Sequence, residues 1–341
     1  MKVLIVKTSS LGDVIHTLPA LTDALNVYPD LEIDWLVEKN CSEPIRWHGG
    51  VQRIIEMEFR KWRKTPWQAW QEKHWQALYR ALRAKKYDVI IDAQGLSKSA
   101  VMAFLAKGKR HGLAMGSSRD PLAPWFYHKR HEISWEWHAI ERVRRLFAKT
   151  LGYPLPTHTP DYGLGAFSKA HAANTSNYIV FLHGTTWVTK LWPLTYWQAL
   201  GQKLRAMGYA IHIPFGNAIE KARAEDIASA CEGQVLPPMG LKEIAVVLSN
   251  AKAVVAVDTG LGHLSAALSV PTVSLYGATD PKRTGTCGLN QHHLRVEYDC
   301  APCLLQQCRW ASVNEMPPCY GSLTVDKVVQ TLQPMLGVSS F

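Results

Sequence analysis

KVLIVKTSSLGD, residues 2–13, is an apolar run that ends abruptly in small hydroxyl residues, a glycine and an acid. Four aliphatic residues between two lysines read as a buried strand, and SSLGD reads as its turn into a helix. A helical face follows, with Val14, Leu18, Leu21 and Leu25 at helical spacing. IDWLV (33–37), VQRII (51–55) and YDVIIDAQG (87–95) read as further strands, and 67–85 and 136–149 as helices. Strands alternating with helices predict a mostly parallel sheet.

Residues 152–176 break this rhythm with Pro, Gly, Thr and Ser, which marks a domain boundary. A second alternation then begins. YIVFLHG (178–184), YAIHIPFG (209–216), AKAVVAVDTG (251–260) and PTVSLYG (271–277) read as strands. Residues 194–207, 217–230, 241–249 and 261–268 read as helices, 285–319 as an irregular tail and 322–335 as a closing helix. The expected layout is two doubly wound halves, residues 1–160 and 161–320, followed by a closing helix and tail at 321–341. Ligands are expected at strand carboxyl ends, in a cleft between the halves.

Composition agrees with a two-domain globular chain. The length of 341 residues is about two domains' worth. No apolar run approaches the roughly 20 residues of a membrane span. The apolar start is short and interrupted by Lys7, so it reads as a strand and not as a signal peptide, and a cytoplasmic location is expected. The net charge of +10 is uneven: residues 1–150 hold 25 Lys and Arg against 16 Asp and Glu, and nine of the 13 Trp. A basic, Trp-rich half points to an anionic partner such as a phosphorylated lipid, a membrane surface or nucleic acid. No helix-turn-helix or RNA-recognition signature supports nucleic acid. The missing G-x-G-x-x-G disfavours a nicotinamide oxidoreductase, and the P-loop pattern is missing too.

Several strand-end motifs offer chemistry. In Thr8–His16, Ser10, Gly12 and Asp13 stand where a strand turns into a helix; amides and hydroxyls there favour an anion, and Asp13 suits a general base or a plain helix cap. His183-Gly184-Thr185-Thr186, followed by Lys190, suits a diphosphate or an ordinary strand-to-helix loop. Asp258-Thr259-Gly260-Leu261-Gly262-His263 is the most specific of these motifs: an acid, close-approach glycines and a helix start. Asp258 suits sugar hydroxyls or the positioning of Lys190. Glu220 suits ribose hydroxyls or an exposed helix face, and Met239 suits a base ring or core filling. Arg60, Arg63, Lys64 and Arg119 belong to basic clusters interleaved with Trp. Cys300, Cys303, Cys308 and Cys319 have one C-x2-C spacing only, which favours free thiols over a metal centre.

Taken together, KTSSLGDVIHTLPALTDAL (7–25), DAQGLSKSA (92–100), FLHGTT (181–186) with KLWP (190–193), and VDTGLGHLSAAL (257–268) with YGATDP (276–281) resemble the lipopolysaccharide heptosyltransferase I family of glycosyltransferase family nine. The resemblance covers most of residues 1–285, with the motifs in order. It implies a GT-B fold: two Rossmann-like domains facing across a cleft, with a C-terminal helix closing back. It implies inverting transfer of L-glycero-D-manno-heptose from ADP-heptose to the Kdo of lipid A, without metal or other cofactor. By resemblance, Asp13 is the general base and Lys190 stabilises the leaving diphosphate together with Thr185 and Thr186. Asp258 lies by the sugar, Thr259, Gly260 and His263 near the phosphates, Glu220 at the ribose and Met239 by the adenine. Ser10, Gly12, Arg60, Arg63, Lys64 and Arg119 face a Kdo-lipid A or phospho-Kdo-lipid A acceptor. That acceptor implies peripheral contact with the inner-membrane surface and no nucleic-acid partner. The Cys-rich tail resembles tails of other heptosyltransferases, which keeps a type II or III enzyme, adding to an existing heptose, as the alternative.

Overall fold

The structure, a computed structural model, describes residues 1–172, 177–311 and 316–337. Parts of the expected linker (173–176), irregular segment (312–315) and closing tail (338–341) lie outside the described residues. The chain divides into two compact units, Met1–Leu164 and Gly165–Phe341.

The first unit contains β1 (Lys2–Val6), β2 (Glu32–Glu38), β3 (Arg53–Met57), β4 (Lys86–Asp92), β5 (Lys107–Leu113) and β6 (Lys129–His131). They form one parallel sheet in the order β3-β2-β1-β4-β5-β6. The second unit contains β7 (Tyr178–Leu182), β8 (Ala210–Ile213), β9 (Gln234–Val235), β10 (Ala253–Val257), β11 (Thr272–Tyr276) and β12 (Gln291–Arg295). Its parallel sheet runs β12-β11-β10-β7-β8-β9. Counted from each unit's own first strand, the two orders are the same. This is the doubly wound order whose switch point lies between the first and fourth strands.

The central strands are largely apolar because helices cover both faces. All of β10 is buried, and so is β1 after Lys2. Each sheet packs against helices in an apolar core. Leu4, Val6, Leu36, Trp62, Leu82 and Ile90 belong to the first, and Phe181, Trp192, Trp197, Val255 and Leu275 to the second.

Four strands were not expected: β5, β6, β9 and β12. β5 (KGKRHGL) and β12 (QHHLR) carry charge and histidine at a sheet flank, so their apolar signal is weak. The helical face from Val14 to Leu25 divides into Leu11–Ile15 and Leu18–Val27, because Pro19 lacks the amide that would continue the first helix. The expected helix 67–85 is two, Pro66–Gln71 and His74–Arg83, interrupted where Lys73 takes a left-handed φ of 57°. The expected helix 136–149 starts at Ala139, capped by the His138 ring, and ends at Leu151 where Gly152 is left-handed. The closing helix is Val325–Met335, and its Val328 and Leu332 lie in the core of the second unit itself.

Candidate active site

In the first unit, the register pairs Val6 with Asp92, so the segments leaving β1 and β4 emerge side by side at the switch point. Asp92 ends its strand by accepting the amides of Gln94 (2.9 Å) and Gly95 (3.1 Å). Its other oxygen accepts from Ser99 Oγ (2.8 Å) and Tyr127 Oη (2.7 Å). The turn so formed presents Gln94 Oε1 to the amides of Thr8 (3.1 Å) and Ser9 (3.2 Å). The chain beyond β1 is thereby held in place where it enters the helix carrying Asp13.

Asp13 Oδ2 accepts from the amide (2.9 Å) and hydroxyl (3.0 Å) of Ser10. Asp13 Oδ1 faces Lys7 Nζ at 3.7 Å, and the carboxylate is 32% exposed. The capping role that the sequence left open is therefore real, but it occupies one oxygen and leaves the other beside a cation. Burial pushes the Asp13 pKa up. The Lys7 charge, the Ser10 hydrogen bonds and the more distant Arg119 charge outweigh it, so the carboxyl sits below its ordinary range. Burial lowers the Lys7 pKa, and its ammonium donates to Ala93 O at 2.9 Å. Gly12 is buried in the same helix.

The basic residues separate. Arg119 is exposed on the segment after β5, where its charge reaches Lys7 and Asp13. Arg60, Arg63 and Lys64 are exposed on the helix Phe59–Lys64 beyond β3. Arg60 acts on Glu38 at the end of β2, a buried carboxyl whose pKa is raised by desolvation. Lys98 Nζ lies 3.4 Å from Ser9 Oγ and also acts on Glu38. Sequence reasoning missed Lys7, Gln94, Glu38 and Lys98. Lys7, Gln94 and Lys98 stand inside the motifs quoted for the resemblance, which was the available signal.

In the second unit, β7 and β10 are adjacent, with Leu182 opposite Ala256. Asp258, at the end of β10, pairs with Lys190 Nζ at 2.7 Å. It accepts from Thr279 Oγ1 at 2.7 Å, and His263 Nε2 is 4.0 Å away. Thr185 Oγ1 donates to the Asp258 carbonyl at 3.2 Å. Lys190 Nζ also lies 4.5 Å from the Trp187 ring centre. Thr186 is exposed in the same turn, and Thr259 stands at the start of the helix Gly260–Ala267 with no side-chain cap hydrogen bond. The first amides of that helix have no intrahelical acceptor, which favours an anion at this end. Thr279, in the YGATDP segment, is a further functional contact that residue-by-residue reading did not single out.

Glu220 lies against the same turn, its carboxylate held by the Gly216 amide at 2.7 Å. A Cβ on Gly184 would come 2.6 Å from Glu220 Cδ, so the two chain segments meet there. Below them, burial and then the Arg223 charge lower the pKa of His183 to about 4, and its imidazole is neutral. Met239 is half-buried in the loop between β9 and the helix Leu241–Ser249. Cys300, Cys303, Cys308 and Cys319 are free, and burial together with the other three thiols lifts the Cys319 thiol to about 11. Among the described residues, no three His, Cys, Asp or Glu side chains are placed to hold a metal ion.

Each unit thus brings an acid and a lysine to its own switch point. The family description for glycosyltransferase family 9 (heptosyltransferase) matches residues 75–313. The chain belongs to glycosyltransferase family 9. It is 45% identical to lipopolysaccharide heptosyltransferase 1 of Pseudomonas aeruginosa over 98% of both chains. A solved structure of the E. coli heptosyltransferase WaaC with ADP superposes with a TM-score of 0.87 at 42% identity, covering 98% of this chain and 100% of that one. The same E. coli protein with ADP-2-deoxy-2-fluoro heptose gives 0.83, covering 98% of this chain and 99% of that one. Similarity to an E. coli lipopolysaccharide heptosyltransferase 3 is weaker, 23% over 79% of this chain and 81% of that one. This family 9 chain is a glycosyltransferase of the heptosyltransferase group, and its two doubly wound units are those of the GT-B fold class.

Proposed function

We propose that this glycosyltransferase moves L-glycero-D-manno-heptose from ADP-L-glycero-β-D-manno-heptose to the Kdo of lipid A, inverting the anomeric centre without a metal. The observation that carries the reading is likeness along 98% of the chain to a heptosyltransferase 1, with both strand-end clusters present in this sequence. The weaker match to a type 3 enzyme disfavours a heptose-terminated acceptor.

Inversion by direct displacement needs a base on the acceptor hydroxyl and charge stabilisation on the leaving diphosphate. Asp13 is the base: its depressed pKa keeps it ionised, and Oδ1 is the oxygen free of the helix cap. Lys190, Thr185, Thr186 and the amides at Thr259 and Gly260 hold the diphosphate. Asp258 orients Lys190 by direct contact and faces the sugar, and His263, 4.0 Å from Asp258, lies near the phosphates. Glu220 takes the ribose, and Met239 lies by the adenine. Ser10, Gly12, Arg119, Arg60, Arg63 and Lys64 receive the anionic acceptor. That acceptor is a membrane lipid, so the enzyme works at the cytoplasmic face of the inner membrane as a peripheral protein.

The test is ADP release from ADP-heptose with Kdo2-lipid A and, in parallel, phospho-Kdo-lipid A. Turnover with either supports the reading, whereas turnover only with a heptose-terminated acceptor replaces it by the type II or III alternative. In the same assay Asp13→Ala lowers kcat about 10²–10⁴-fold, far more than can be explained by the roughly 1 kcal/mol that loss of the Ser10 cap costs the fold. Unchanged turnover would remove Asp13 from the mechanism.

A further inference from the structure

The segment from Phe59 to Arg83 carries four tryptophans, and the fold treats them in two ways. Trp62 is buried in the core of the first unit and meets Trp75 at 5.0 Å and the His74 ring at 5.5 Å. Trp75 packs against the same core. Trp67 and Trp70 do the opposite. They are 69% and 62% exposed, and both stand on the short helix Pro66–Gln71. Three residues apart, they share one helix face, and their rings stack at 5.3 Å. Two large rings held together in water, on a segment already bolted down by two other tryptophans, indicate a surface with a partner.

The surroundings identify the partner's chemistry. Lys61, Arg63 and Lys64 stand exposed just before the pair, and Lys73 just after it. The nearby acid, Glu72, is engaged by Gln68 (2.9 Å) and His74 (2.6 Å). Indole rings flanked by cations suit the headgroup level of an anionic bilayer, with the rings at the acyl boundary and the cations at phosphates. A second exposed patch, around Phe104 and Trp125, is a weaker candidate, because Arg110 and Arg130 already lie over those rings at 5.1 and 5.8 Å.

We propose that the Trp67–Trp70 face is the bilayer anchor of this enzyme, inserted into an anionic leaflet beside the basic helix Phe59–Lys64. This deepens the functional reading and rests on it for the acceptor's being a lipid. The anchor places that basic helix at the depth of a glycolipid headgroup, so its energetic contribution falls on membrane-embedded acceptor alone.

The experiment uses the full chain with phosphatidylethanolamine–phosphatidylglycerol vesicles, and with phosphatidylcholine vesicles as the neutral comparison. Wild type co-sediments with the anionic vesicles, and its tryptophan fluorescence is quenched by lipids brominated near the headgroup end of the chain. Trp67→Ser/Trp70→Ser weakens partitioning by about 10²-fold, about tenfold per ring. The single variants Trp67→Gln and Trp70→Gln each give one of these tenfold steps, which keeps the test readable if the double variant folds poorly. Turnover of a deacylated, soluble acceptor is unchanged in all three, while turnover of vesicle-embedded acceptor falls. Equal partitioning of wild type and the variants overturns the proposal. So does loss of partitioning in Trp125→Ser instead, or self-association of wild type that the double variant abolishes without any lipid effect. Absence of turnover with every acceptor in wild type would overturn the functional reading, and the vesicle result would still decide the anchor.

Discussion

Gly184 is a position where one added carbon would collide with a side chain proposed to hold the donor nucleotide, Glu220. Its missing side chain is what lets Glu220 lie against the turn after β7 while holding the Gly216 amide. Gly184→Ala displaces that carboxylate, and the expected result is about a tenfold rise in the Kd of ADP, with kcat less affected. Titration calorimetry with ADP checks it, and an unchanged Kd would separate Glu220 from nucleotide binding. Asp258 was legible in the sequence because it stands where the apolar run 251–257 stops, and Asp13 and Lys190 because they belong to the segments that follow β1 and β7. Gln94 and Thr279 were not singled out. Each acts through a contact 85 or 21 residues away, which no local pattern encodes.

Helices Leu18–Val27 and Ala139–Leu151 were both expected, but not what joins them. Arg144 donates to Asp23 through Nε at 2.6 Å and Nη2 at 3.2 Å, and both side chains are buried. The His158 carbonyl takes a further guanidinium proton at 3.2 Å. Arg144→Leu leaves the Asp23 carboxylate buried without its bidentate partner, a loss of about 3–5 kcal/mol. The expected outcome is a large fall in melting temperature, most of it recovered by adding Asp23→Leu. Thermal melts of the two variants check this, and equal melting of both would mean that the arginine acts through packing alone. In sequence, Arg144 and Asp23 are 121 residues apart and read as ordinary charges on two helices. Strands β5 and β12 were missed for a related reason, since polar sequences at a sheet's flank gain their hydrogen bonds from neighbours rather than from their own pattern.

At the scale of the whole molecule, three buried histidines among the described residues contribute to the response to acid. Burial lowers the pKa of His48, His111 and His183 to about 4. A nearby aspartate works against the shift at His48, while neighbouring cations reinforce it at His111 and His183. Their folded pKa values lie below the unfolded value of about 6.5, so the unfolded chain binds the extra protons. Their contribution to stability is complete above about pH 6.5 and is lost as the pH falls towards 4. The melting temperature at pH 5 is expected to be lower than at pH 7.5 by about 5 °C or more. Calorimetry across that range checks it, and His48→Gln would flatten part of the slope. Asp13 behaves differently: its lowered pKa keeps its carboxylate ionised throughout this window, so under the role proposed for it loss of activity there would follow loss of fold. The sequence by itself determined the fold class, the two-unit division and the strand-end motifs, because apolar periodicity and turn residues act locally. Only the tertiary structure decided which oxygen of Asp13 caps the helix and which faces Lys7, that Asp258 grips Lys190, and that Trp67 and Trp70 face outward while Trp62 and Trp75 face in. Those outcomes depend on which segments the sheet order brings together, and sheet order is a property of the assembled core.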